Sequence, residues 1–264
     1  MRFYVAVDLE GTACTVGLPG QFLTPPNPNY YQAVKQATRE ADAAARALFD
    51  EGADQVIVWD NHGSGVNLDY DLLDARCKIA LGSGWRHRWP LLDRDCDGVL
   101  MIGYHPMDNT PDAVLSHTYS SATYQYYKIN GVQVGEMQID AAMAGRMGVP
   151  LLFVSSDDKG TAQAKASFPW VETVTTKESL SYHGAVSLHP AKACEEIYNG
   201  VRRAVRRREE MEPFAFAQPL EVEIRYKKIP DAKSDLLFDR GRQPFAQPDA
   251  YTRTGVVDSI ADLF

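Results

Sequence analysis

Asp8 and Glu10 stand two apart in Asp8-Leu9-Glu10-Gly11, directly after the apolar run Phe3–Val7. Side chains two apart at a strand end point the same way. The pair is therefore placed to hold a divalent cation; the alternative is that one acid caps a turn and the other meets solvent. His62, in Asp60-Asn61-His62-Gly63, and His105, in Gly103-Tyr104-His105-Pro106, each follow another apolar run. Neutral imidazole is a common zinc ligand. His117, flanked by Ser116 and Thr118, suits a further ligand or a proton carrier. Glu136 opens a predicted helix after Val134-Gly135, where the helix dipole favours an acid whether or not it binds anything. His87 lies between Arg86 and Arg88, whose charge would repel a metal, and is set aside. His183 and His189 read as loop or cap residues, and Asp157-Asp158 as a helix cap or a neighbour of the site.

The elements that must position these groups are legible as apolar runs and helical stretches. Strands are expected at Phe3–Val7, Gln55–Trp59, Gly98–Ile102 and Pro150–Val154, and an outer, alternating strand at Leu220–Tyr226. Helices are expected at Tyr30–Phe49, Glu136–Met147 and Pro190–Arg207. Tyr124–Ile129 and Val132–Val134 flank Asn130-Gly131, a strong hairpin signal. Strands alternating with helices imply an α/β fold with a mainly parallel sheet. Ligands bind such sheets beyond the carboxyl ends of the strands, which is where Asp8, His62 and His105 would all emerge. The expected organisation is an α/β core over 1–212 and a C-terminal extension of the same domain over 213–264, a covering segment or an oligomer contact.

The 264 residues carry a formal net charge of -8, with 45% hydrophobic and 23% charged residues. That composition suits a globular protein with its own core and disfavours a nucleic-acid binder, which needs a basic face. No apolar stretch approaches the ~20 residues of a membrane helix. Cys14, Cys77, Cys96 and Cys194 show no CxxC spacing and, with no export signal, read as reduced thiols of a cytoplasmic protein.

Two enzyme families begin in this manner. Strand-Asp8-Leu9-Glu10-Gly11-Thr12 resembles the haloacid-dehalogenase-like phosphatases, in which Asp8 would be a nucleophile and Asp157-Asp158 would imitate the magnesium site. Glu10 is one methylene too long for that scheme, and three histidines are left without work. The ordered set Asp8-x-Glu10-Gly11, Asp60-Asn61-His62, Gly103-Tyr104-His105, Ser116-His117 and Gly135-Glu136 resembles instead the zinc-dependent D-aminopeptidase family of the DppA type, self-compartmentalising metallopeptidases. The match continues through Asn130, Ala144-Gly145, Val154 and Asp157-Asp158 to Ser187–Ala193. Ala6 replaces the family's usual Ser two residues before the first Asp, the loop from His105 to His117 is slightly longer, and the C-terminal segment matches poorly.

The resemblance implies two zinc ions per chain. Asp8 would bridge them, Glu10 and His105 completing one site and His62 and Glu136 the other. His117 would be the catalytic residue, and the activity removal of N-terminal residues from short peptides, with D-selectivity resting on the family alone. It further implies a ring-stacked homo-oligomer, a decamer in size. Asp60 and Asp157 are expected to orient histidine ligands. A non-enzymatic module with a structural zinc is disfavoured, because such sites are closed by Cys and His.

Overall fold

The structure, a computed structural model, describes residues 1–85, 87–230 and 237–264. Arg86 and the start of the segment Lys233–Phe264 (233–236) lie outside the described residues. The first half of the chain runs β1 (Arg2–Val7), α1 (Pro28–Asp50), β2 (Gln55–Asp60), β3 (Lys78–Ala80), β4 (Gly98–Ile102), β5 (Tyr124–Ile129) and β6 (Val132–Val134). The second runs α2 (Glu136–Gly145), β7 (Leu151–Asp157), α3 (Asp158–Ser167), β8 (Glu172–Ser181), β9 (Gly184–Ser187), α4 (Pro190–Arg206), β10 (Leu220–Tyr226), β11 (Ala246–Asp249) and β12 (Thr252–Val257).

Among the described residues, seven strands form a sheet in the order β3-β2-β1-β4-β7-β8-β9. Every neighbouring pair is parallel except β8 with β9. β1 is central and buried throughout from Phe3 to Val7, as befits a parallel strand covered on both faces. Its side chains divide between two cores. Phe3, Val5 and Val7 face the Ala stripe of α1 and Ile197, Val201 and Ala204 of α4. Tyr4 and Ala6 face α2 and the second sheet. Asn27 caps α1 by accepting from the Asn29 amide, and Pro28 occupies its first turn, where a missing N–H costs nothing.

The second sheet is antiparallel, in the order β11-β12-β10-β5-β6. The hairpin β5–β6 therefore does not hang from the core: β10, about ninety residues further on, pairs with β5 from Val222 against Ile129 to Tyr226 against Tyr124. The C-terminal segment supplies three of the five strands.

The expected strands and helices appear within a few residues of their predicted bounds, and the hairpin falls on its predicted residues. The expectation left out β3, β8, β9, β11 and β12 and gave α3 only as a helix that Asp157-Asp158 would cap. The region of β8 is rich in Thr, Lys and Ser, yet Thr176, Lys177 and Ser179 are buried, so its inward face carries little apolar signal.

Candidate metal centre and cleft

Strand order reverses between β1 and β4, with β2 on one side of β1 and β4 on the other, the position in an open α/β sheet where ligands bind. The loops leaving these strands cross there. The Gly11 amide donates to the Gly103 carbonyl at 2.7 Å. A Cβ on Gly11 would lie 1.8 Å from the Tyr104 carbonyl oxygen, and one on Gly103, whose φ is 69°, 2.4 Å from that of Asp8. Only glycines allow the two loops to pass this closely.

The crossing gathers Asp8, Glu10, His62, His105, His117 and Glu136. His62 Nδ1 lies 2.9 Å from Asp8 Oδ1 and 3.2 Å from Glu10 Oε2. His105 Nε2 lies 3.4 Å from Asp8 Oδ2 and 3.2 Å from Glu136 Oε1. The outer ring nitrogens fix the tautomers, because a carbonyl can only accept. His62 Nε2 donates to Leu23 O at 3.0 Å and His105 Nδ1 to Pro106 O at 3.0 Å. The nitrogen facing the carboxylates is thus the one free to ligate, the arrangement in which an outer hydrogen bond orients a metal-binding imidazole. Glu136 begins α2, and its Oε1 accepts from the Tyr119 amide at 2.6 Å.

The His117 ring stacks on that of His105, centroids 3.8 Å apart and planes 12° apart. Its Nδ1 donates to Leu115 O at 2.8 Å, while Nε2 stands 4.0 Å from Glu136 Oε1.

Burial alone would raise the Asp8 carboxyl, but the neighbouring His105 and His62 hold it well below the usual carboxylate range. Burial works against charge on the two histidines, yet Glu10 and Asp8 raise His62, and Glu136 and Asp8 raise His105, well above the ordinary imidazole value. Desolvation and then the neighbouring His105 lower His117. Three buried carboxylates thus favour positive charge beside them, whether on the imidazoles or on a bound cation.

The donor set fits a divalent metal. Asp8, Glu10 and His105 place ligand atoms within 4.8 Å of one another, and so do His105, His117 and Glu136. Glu10 Oε2 and His105 Nε2 are buried without a hydrogen bond, since none of their close contacts has the required alignment. Open carboxylate and imidazole lone pairs turned toward one another form a mixed N/O set of the kind catalytic zinc accepts.

The cluster opens into a cleft of about 640 Å³, walled by the 20–24 loop, Ser120, Ser121, Tyr182 and His183. His183, expected in a loop, sits in the β8–β9 turn and reaches this cleft. His189 caps α4 as expected. Asp60 orients no histidine ring: it accepts from the Asn67 and Leu68 amides, and Asn67 in turn reaches the His62 carbonyl. Asp157 caps α3 and accepts from the Ser179 hydroxyl, so it neither orients a histidine nor imitates a magnesium site.

Three groups around the centre are not reached by the sequence reading. Arg88 lines the cleft with its guanidinium on buried Asp140. Asp140 had a signal, being four residues after Glu136 on one helix face. Lys177, fully buried, donates to Glu10 O at 2.5 Å and Thr12 O at 2.7 Å; no sequence pattern marks it.

A buried histidine–carboxylate cluster at the carboxyl edge of a parallel sheet, open to a cleft, suits metal-assisted hydrolysis. A family model described as peptidase M55, D-aminopeptidase, matches residues 1–242, and the chain belongs to that family. It is 30% identical over 215 residues, 81% of this chain and 77% of the relative, to a D-aminopeptidase of Bacillus subtilis (strain 168). Its fold matches the solved Zn-dependent D-aminopeptidase DppA from Bacillus subtilis, described as a self-compartmentalizing protease, with a TM-score of 0.90 and 25% identity over 100% of this chain and 94% of that one. The phosphatase alternative has no support from family or fold. Among the described residues, no helix is long and apolar enough to cross a membrane.

Proposed function

We propose that the chain is a binuclear zinc aminopeptidase that releases the N-terminal residue of short peptides containing D-amino acids. One observation carries the two-metal reading: the oxygens of Asp8 face different histidines, Oδ1 toward His62 and Oδ2 toward His105. A carboxylate so placed is built to bridge. Glu10 and His105 would hold one ion with Asp8, and His62 and Glu136 would hold the other. Zinc is favoured by the mixed N/O donors and by the Zn-dependent relative.

Two zinc ions held there supply a Lewis acid for the scissile carbonyl and lower the pKa of a water. The chain's residues do the rest. Leu23 and Pro106 keep the ligand histidines in the ligating tautomer. His117, with Nδ1–H committed to Leu115, presents Nε2 to the cleft, where it accepts a proton and returns it to the leaving amine. The 20–24 loop and Tyr182 wall the cleft against bulk water.

Self-compartmentalisation in the relative supports a homo-oligomer; its ring stacking and decamer size rest on the family resemblance alone. Four free cysteines support a cytoplasmic setting.

The deciding experiment counts metal by plasma mass spectrometry in the wild type and His105→Ala, and assays both on D-Ala-D-Ala and L-Ala-L-Ala. About two zincs per wild-type chain, their loss in the variant and cleavage confined to the D-peptide are expected. Cleavage of the L-peptide alone would remove the stereochemical claim; a wild type without zinc would remove the mechanism.

A further inference from the structure

Arg88 is the one Lys or Arg among the described residues lining the cleft. Its guanidinium is held firmly. Nε donates to Asp140 Oδ1 at 2.8 Å and Nη2 to Asp140 Oδ2 at 3.1 Å. Its Cζ lies 5.0 Å from the ring centroids of both Trp59 and Tyr119. Asp140 is itself fixed, fully buried and accepting from Tyr104 Oη at 2.8 Å. Two of the five guanidinium N–H groups are spent on Asp140; Nη1 bonds to no described residue. The side chain keeps 18% of its surface exposed and lines both this cleft and a smaller cavity beside Gly82–Trp85.

An arginine fixed in this way is a preorganised fork for a second planar anion. Nη2 stands 3.7 Å from Glu136 Oε2, beside the proposed metal ligands but outside hydrogen-bonding distance of them. One residue spans at most about 3.6 Å of chain. A carboxylate one residue beyond a carbonyl held at the centre therefore falls within reach of this fork, whereas the carboxylate of a longer peptide lies further out. The other acids of the cleft, Asp8, Glu10 and Glu136, all belong to the centre.

We infer that Arg88 binds the free C-terminal carboxylate of a dipeptide and so makes dipeptides the preferred substrate class. This rests on the aminopeptidase reading above. Bound there, the carboxylate is gripped by a group that cannot swing away, and the scissile bond is drawn to one position relative to His117.

Zinc-loaded enzyme is assayed on D-Ala-D-Ala and on D-alanyl-D-alaninamide, which differ only in that carboxylate. A charged hydrogen bond of this kind is expected to give the acid an advantage in kcat/KM of about 10- to 100-fold, carried mainly in KM. In R88Q/D140N, where both buried charges are removed together, the advantage is expected to vanish while the amide is still cleaved and zinc is retained. Equal kcat/KM for acid and amide in the wild type overturns the inference and leaves the aminopeptidase reading intact, whether or not the variant folds. So does an undiminished preference in the double variant. Cleavage of neither substrate overturns the reading and the inference with it.

Discussion

His117 touches the centre only through a ring face and a 4.0 Å approach to Glu136, so its loss should leave the ligand set whole. His117→Gln is expected to keep its zinc and lose activity by about 10²- to 10⁴-fold, the range for a proton-transferring group; metal loss in step with activity would make it a ligand instead. A second residue, outside the proposed ligand set, carries a pH signature. Glu40 is fully buried in α1, its Oε1 accepting from Gln36 and the Ala13 amide while Oε2 has no partner. Burial pushes its carboxyl from 4.5 up to about 7. Between those values the folded chain holds a proton that the unfolded chain has released. The resulting stability is complete below the unfolded value and lost as pH rises through about 7, a loss on the order of 3 kcal/mol. Glu40→Gln keeps the acceptor oxygen and cannot ionise. Urea midpoints at pH 5 and pH 8 should therefore lie closer together in the variant than in the wild type; an equal separation would refute the assignment. At this scale the sequence was readable wherever a group stood next to a strand end, as Asp8, His62 and His105 do. It is silent on Arg88, whose partner Asp140 lies about fifty residues away.

At the scale of elements, β8 does more than extend the sheet. Thr176 Oγ1 donates to Gly11 O at 2.6 Å, and Lys177 Nζ to the carbonyls of Glu10 and Thr12. Three successive carbonyls of the loop that carries Asp8 and Glu10 are thus clasped by two successive side chains. Lys177→Met would leave the Glu10 carbonyl unpaired, at a cost of about 1–3 kcal/mol, and the Thr12 carbonyl with only the Thr15 amide at 3.4 Å. With the loop free to shift, zinc affinity is expected to weaken about 10- to 100-fold, measured by chelator competition alongside the melting temperature. A lower melting temperature with unchanged zinc affinity would show that the clasp stabilises the fold without positioning ligands. The same feature helps explain why β8 is hard to read from sequence: Thr176 and Lys177 are polar and buried because they serve the loop, and Val174 is its one buried apolar residue. β1, β2, β4 and the hairpin, whose buried or turning residues serve packing and backbone geometry, announced themselves by apolar runs and Asn130-Gly131.

For the molecule as a whole, Leu220–Tyr226 was readable as an alternating strand, but its partner was not. Pairing of β10 with β5 spans about ninety residues, and strand alternation says which face is buried, not against what. Light scattering after gel filtration tests the proposed assembly: a decamer-sized species is expected, and a monomer at micromolar concentration would end that proposal. The crossing of the loops after β1, β2 and β4 with the start of α2 has one more consequence. The five proposed ligands come from residues 8 to 136 and converge only in the folded chain, so the unfolded chain offers no comparable site. By linkage, each ion then adds roughly 2.7 kcal/mol of folding free energy when free zinc exceeds its Kd about a hundredfold. Chelation should accordingly cost the cell more than turnover, since a zinc-starved chain spends more of its time open to degradation, and the enzyme's abundance becomes a readout of the zinc supply.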